Sequence, residues 1–150
     1  MSSSRPQLPA AEPTYDPSRP FPKIQPLYKK SIMNCPGKTL VALHLTFPPN
    51  GSTPPHTHPG AFVCVHVVSG YTLNKMNYDP MQIFGPGETF TENPGCKHKI
   101  SDNASATEPA TMIATFVVDT KVVEKVGIEG LVVIDEDYKS IVAEAKQKSS

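Results

Sequence analysis

What the chain lacks narrows the reading first. Over its 150 residues it carries no net charge, with Lys plus Arg and Asp plus Glu each totalling 14. No overall field therefore draws it to nucleic acid or to an anionic membrane, and no basic stripe breaks the balance. No apolar run approaches the length needed to cross a bilayer, and Met1 to Pro20 has no apolar core of the kind a secretory signal needs. The expected location is the cytoplasm. Cysteine is scarce: Cys35, Cys64 and Cys96 are an odd number at unrelated spacings, which suits reduced thiols better than a disulfide framework. No internal repeat of useful period is present, so the length allows one domain and one core. With nucleic acid and membrane set aside, a small-molecule substrate is the expected partner.

Proline, by contrast, is plentiful and unevenly placed. Of the 17 prolines all but Pro80, Pro86, Pro94 and Pro109 lie at or before Pro59. Residues 1–26 read as an extended or disordered arm. It is either a loosely held tail or a segment whose Phe21, Ile24, Leu27 and Tyr28 pack across its own barrel or onto a second subunit, the latter implying a homodimer.

From Thr39 the pattern becomes that of strands. Val41, Leu43, Leu45 and Phe47 alternate with smaller or polar residues, and Pro48-Pro49-Asn50-Gly51 ends the run with turn chemistry. Further runs follow over 62–69, 71–78, 81–84, 89–92, 98–101 and 111–118, separated by Asp79-Pro80, Gly85-Pro86-Gly87, Asn93-Pro94-Gly95 and Asp102-Asn103. Short strands at this spacing predict an all-β antiparallel sandwich or barrel, placed at 27–134. Val122-Val123 and Leu131 to Ile134 read as short strands or covering segments. Residues 135–150 read as a C-terminal helix and tail, with Asp135 to Asp137 supplying the N-terminal acids and Ile141, Val142 and Ala145 the apolar stripe.

Three histidines carry the chemistry. His56 and His58 flank Thr57, so on an extended backbone both imidazoles point to one side, and Pro54-Pro55 and Pro59 keep the segment out of a helix. By itself such a pair is an ordinary surface pattern. His98, opening a strand after the Pro94-Gly95 turn, becomes a third ligand if barrel closure lays that strand beside the first. His44 and His66 lie on the opposite strand faces and read as interface or satisfied core histidines, and Cys96 as a packing thiol. Tyr71, Met76, Tyr78, Met81 and Phe84 are candidates for a pocket wall, or plain core.

Taken together, Gly51 through His56-Thr57-His58 to Gly70, and Gly87 through Pro94-Gly95 to His98 and Asn103, resemble the two motifs of the cupin superfamily. The resemblance covers 39–118 and implies a double-stranded β-helix (jelly-roll) barrel of the small monocupin kind, holding one divalent metal ion (Fe, Zn, Mn or Ni) on His56, His58 and His98. The sequence departs from the pattern in three places. The stretch from Gly51 to His56 is one residue short, and Asn93 replaces a proline. Most important, Val63, beside Phe62, occupies the slot of the family's metal-binding glutamate. Either the site is a neutral three-histidine cap, or Glu92 supplies a substitute carboxylate from a neighbouring strand, as a ligand or a general base. The resemblance implies a metal-dependent enzyme acting on a small oxygen-chelating substrate. The candidate reactions are an Fe(II) dioxygenase (an oxidoreductase) or a Lewis-acid lyase, isomerase or cyclase; a non-catalytic ligand-binding barrel is the reading from another class.

Overall fold

The computed structural model describes residues 4–149. Eleven strands and two helices follow one another in the order β1 (Lys23–Ser31), β2 (Lys38–Phe47), β3 (Ser52–Thr53), β4 (His56–Thr57), β5 (Ala61–Ser69), β6 (Thr72–Met76), β7 (Gln82–Phe84), β8 (Thr89–Glu92), β9 (His98–Asn103), β10 (Ala110–Asp119), α1 (Thr120–Val126), β11 (Val133–Ile134) and α2 (Glu136–Ser149). All pairings are antiparallel and form two sheets, a larger one of longer strands, β1-β2-β10-β5-β8, and a smaller one of shorter strands, β11-β4-β9-β6-β7, with β3 pairing on β9. This is the double-stranded β-helix that the strand spacing and motifs predict.

The alternation read from the sequence becomes burial. Val41, Leu43 and Phe47 of β2, Ala61, Val63 and Val65 of β5, and Met112, Ala114, Phe116 and Val118 of β10 form one core cluster. Each fully buried Val, Leu or Phe contributes about 1.5–3 kcal/mol relative to exposure. The turns fall where Gly and Pro stand. Gly70, at φ +72°, is crowded as well as left-handed, because a Cβ there would come within 2.4 Å of the Pro109 carbonyl oxygen.

Val122-Val123 lies in a helix, not a strand. After β10 the chain turns through α1, buries Val123 against the core cluster, and stops at Gly127, whose amide donates to the Val123 carbonyl. Two adjacent valines favour a strand only where a ladder partner is free. Here the covering role prevails, and Leu131 follows into the same end of the barrel. Val133–Ile134 does form a strand, on β4. The C-terminal helix begins where expected, the Tyr138 amide donating to the Asp135 carbonyl and Glu136 and Asp137 standing in the first turn.

The arm is extended and wraps its own barrel. Arg5 pairs with Glu88 and lies over the Tyr71 ring, Glu12 pairs with Lys75, and Tyr15 packs edge-on against Tyr138 of α2. Arg19 is its main anchor. Nη1 donates to Asp102 Oδ2 at 2.9 Å, Nε to the Asn50 carbonyl at 2.9 Å and Nη2 to the Gly51 carbonyl at 3.2 Å. Asp102 in turn accepts from Ser52 Oγ at 2.6 Å, and the Pro20 carbonyl accepts from the Ser52 amide. The chain then enters β1, an edge strand whose Pro26 sits at a register shift and whose Lys23, Lys29 and Lys30 discourage further pairing. Among the described residues no helix is long and apolar enough to cross a membrane.

Arg19→Met removes the cation from a buried aspartate. The expected loss is about 2–4 kcal/mol in urea unfolding, with the arm becoming cleavable in limited proteolysis before the barrel does; an arm still as resistant as in the parent chain would contradict this anchoring.

Candidate metal centre

Strand pairing brings the three histidines together. His56 on β4 stands directly opposite His98 on β9, and His58 follows two residues along from His56. The ring centroids of His56 lie 4.8 Å from those of His58 and 5.0 Å from those of His98. Glu92, the last residue of β8, joins them. All four side chains are buried, and their ligand atoms lie within 4.8 Å of one another. Donor atoms at about 2.1 Å from a common ion stand roughly 3 Å apart in cis and roughly 4 Å apart in trans. Small side-chain adjustments therefore bring all four to one ion.

Val63 explains how the carboxylate reaches this place. It is fully buried on β5 and is the ladder partner of Glu92 on β8. Both residues face the barrel interior, so the carboxylate absent from position 63 is restored one strand away, at 92. A buried carboxylate thus stands beside the three histidines, in the geometry the reading with a substitute carboxylate expects. A glutamate ending a strand is usually solvated, but Glu92 is 4% exposed.

Three carbonyl oxygens orient the rings. His56 Nδ1 donates to the Pro54 carbonyl at 2.7 Å, His58 Nδ1 to the Leu131 carbonyl at 2.8 Å, and His98 Nε2 to Asn74 Oδ1. A carbonyl only accepts, so the proton of each neutral ring sits on the outer nitrogen. Nε2 of His56, Nε2 of His58 and Nδ1 of His98 then point lone pairs inward. Glu92 Oε1 lies 3.1 Å from His98 Nδ1 and 3.4 Å from His58 Nε2, yet no group donates a hydrogen bond to it. Three lone pairs and a buried carboxylate facing one another form a set of donors for a cation. Nitrogen and oxygen donors of this kind fit Fe, Zn, Mn or Ni.

The electrostatics agree. Burial holds the His56 ring down at about 3, with charge on His98 and His58 acting in the same direction, so it remains a neutral ligand. Burial pulls the Glu92 carboxyl up, and it is held well below the usual carboxylate range only where positive charge stands beside it, on protonated His98 and His58 rings or on a metal ion in place of those protons. The carboxylate requires positive charge beside it, from ring protons or from a metal.

A cavity of about 80 Å³ opens over the cluster. Its wall draws on every strand of the larger sheet, including Leu43, Leu45, Val65, Phe90, Met112 and Phe116, and on β3, β4 and β9 of the smaller one. Tyr71, Met76, Tyr78, Met81 and Phe84 do not line it, since nothing from β6 or β7 does. Tyr78 points outward at 90% exposure, while Phe84 packs against Phe90 with the rings tilted and their centroids 4.9 Å apart. His66 and Cys64 lie exposed on the outer face of β5, and His44 is half-buried on the outer face of β2. Asn74 was missed in the sequence. Its signal was an asparagine in the middle of a strand, where that residue is uncommon without a specific partner.

His56 sets the acid response of the metal-free protein. Its folded value of about 3 lies below the unfolded 6.5, so between those limits the unfolded chain binds a proton the folded one does not, and stability falls as pH is lowered through this window. The contribution is at most about 1.4 kcal/mol per pH unit. Urea unfolding of chelator-treated protein at several pH values should show this slope, and His56→Gln should flatten it; equal slopes in the two proteins would refute it.

Comparison with known proteins places this architecture. The family model described as a cupin domain matches residues 43–116, which contain His56, His58, Glu92 and His98. Solved structures similar to the chain include the cupin domain of Schizosaccharomyces pombe Cnp3, at TM-score 0.56 and 17% identity over 71% of this chain and 72% of that one. A Cupin 2 conserved barrel domain protein from Salinispora arenicola gives 0.53 and 18% over 83% and 96%. A protein with a double-stranded β-helix domain from Klebsiella pneumoniae gives 0.52 and 18% over 70% and 84%. No curated protein sequence matches the chain. The two-sheet barrel, the motif histidines and the family match agree, and the chain belongs to the cupin superfamily.

Proposed function

We propose that this protein is a metal-dependent enzyme acting on a small molecule that chelates the ion through oxygen atoms. The observation that carries the reading is the buried convergence of His56, His58, Glu92 and His98 at the base of a cavity. In this reading the three histidines hold one divalent ion through the nitrogens facing Glu92, and Glu92 completes the set. The ion would supply Lewis acidity to a chelating oxygen and, were it iron, the means of oxygenating the substrate.

The chain's own groups do the rest. Pro54, Asn74 and the Leu131 carbonyl hold the rings in one tautomer and orientation, so little reorganisation accompanies binding. The apolar wall excludes water and strengthens every charge interaction inside it. A Glu92 oxygen not engaged by the ion can take a proton from an acidic C–H or O–H of the bound molecule. An iron-dependent dioxygenase is the reaction we favour, since an enclosed apolar site protects reactive species from water. A lyase or isomerase with a redox-inert ion is the outcome if oxygen is not consumed.

The proposal extends to assembly and location. Tyr28, Phe62, Val68, Ile113 and Val117 lie on the outer face of the larger sheet, an apolar surface suited to a second copy. The free thiols of Cys35, Cys64 and Cys96 suit the reducing cytoplasm.

Protein purified without chelator should contain about one equivalent of metal. His98→Ala should lower that affinity by at least about tenfold. Glu92→Gln separates ligand from base: lost metal makes Glu92 a ligand, while retained metal with lost turnover makes it a base. Oxygen uptake with β-diketone or catechol-like compounds tests the dioxygenase. Metal below stoichiometry and unaffected by His98→Ala would leave a ligand-binding barrel without catalysis.

Light scattering at micromolar concentration should give twice the chain mass, and Val68→Lys should shift it toward the monomer; a monomeric parent chain would reject the dimer.

A further inference from the structure

The wall of the cavity describes what it can hold. Apart from the histidines, Glu92 is the only ionisable residue among the described residues that line it, and no Lys or Arg does. A second anionic group on a ligand would lose its hydration there with no cation to replace it, at large cost. The neutral polar groups are few. Thr53 Oγ1, at the cavity edge, is buried with no hydrogen-bond partner, which leaves one unused donor and acceptor for a ligand oxygen. At about 80 Å³ the space is far below the roughly 300–1,000 Å³ of sites for drug-sized molecules.

Part of this wall comes from outside the barrel strands that carry the cluster. Phe21, Pro22 and Ile24 line the cavity, although Phe21 is 39% and Ile24 45% exposed. Each therefore shows one side to the cavity and another to solvent. Their position is held from both ends. Arg19, two residues before Phe21, is tied to Asp102 and to the Asn50 and Gly51 carbonyls, while β1 continues the segment along β2. Lys146 Nζ of α2 lies 5.5 Å from the centroid of the Phe21 ring.

We propose that the site selects a small chelating molecule whose non-coordinating body is apolar and uncharged, and that Phe21, at the end of the N-terminal arm, and Ile24, at the start of β1, determine this specificity. This rests on the metal-dependent reading above and adds the class of substrate to it. The arm is then the adjustable wall of a site whose chemistry lies in the barrel. A change at residues 21–24 alters which body fits without touching the cluster.

Three hydroxamic acids with the same chelating head test this on the full chain loaded with cobalt(II), whose absorption reports coordination. They are acetohydroxamic acid, butyrohydroxamic acid and succinic monohydroxamic acid, which differ in having almost no body, an apolar body and an anionic one. Butyrohydroxamic acid should bind about tenfold tighter than acetohydroxamic acid, since it buries two more methylenes, and succinic monohydroxamic acid should bind more weakly than either. Phe21→Ala should remove most of the gain for the apolar body while leaving acetohydroxamic acid unchanged. Ile24→Arg, at an exposed position that tolerates charge, should raise the affinity of the anionic compound. Equal affinities for the apolar and anionic bodies in the parent chain overturn the proposal, as does a tail preference untouched by both substitutions. A chain that takes up no cobalt overturns this proposal together with the reading beneath it; cobalt uptake without tail preference overturns this one alone.

Discussion

Three imidazole lone pairs and a carboxylate oxygen face one another inside an apolar barrel, and the group is unfavourable unless positive charge stands among them. The outer nitrogens of His56, His58 and His98 are occupied by donation to carbonyl oxygens, so the inner nitrogens offer lone pairs to a carboxylate whose Oε1 no hydrogen bond reaches. An arrangement of this cost persists only where the surrounding structure compels it. That compulsion comes from the strand pairing His56 opposite His98 and Val63 opposite Glu92, and from a core that leaves these side chains no route to solvent.

The barrel and the arm divide the work between them. The larger sheet supplies an apolar wall and Glu92, the smaller sheet supplies the histidines, and closure of the two puts the cluster at the base of the cavity. The arm, held through Arg19 to a buried aspartate four residues beyond His98, adds Phe21 and Ile24 at the side. A proline-rich segment suits this role. Its backbone needs few ladder partners, and its restricted dihedrals reduce the entropy lost on docking.

Much of the fold was legible because period-two alternation translates directly into buried and exposed faces. Val41, Leu43 and Phe47, or Ala61, Val63 and Val65, are inward for the reason the pattern suggests. Where the sequence left two readings open, a tertiary surface decided between them. Val122-Val123 carries the valines of a strand but meets no free ladder, and it covers the barrel end as a helix. The aromatic residues of 71–84 read as well for a pocket wall as for core. Their strands lie on the side of the barrel that the cavity does not reach, which no local pattern records.

The site divides in the same way. The residues themselves determined the His-x-His geometry on an extended backbone, the third histidine after a Pro-Gly turn, the glycines of the two motifs and the absence of glutamate at position 63, because each depends on spacing along one strand. Which carboxylate stands beside these histidines, which ring nitrogen faces inward and what walls the cavity were decided only by tertiary structure. Those properties arise between strands, from the register of β5 against β8, from an asparagine on β6 meeting a histidine on β9, and from an arm reaching back over a barrel; closing a sheet creates neighbours that the order of residues does not contain.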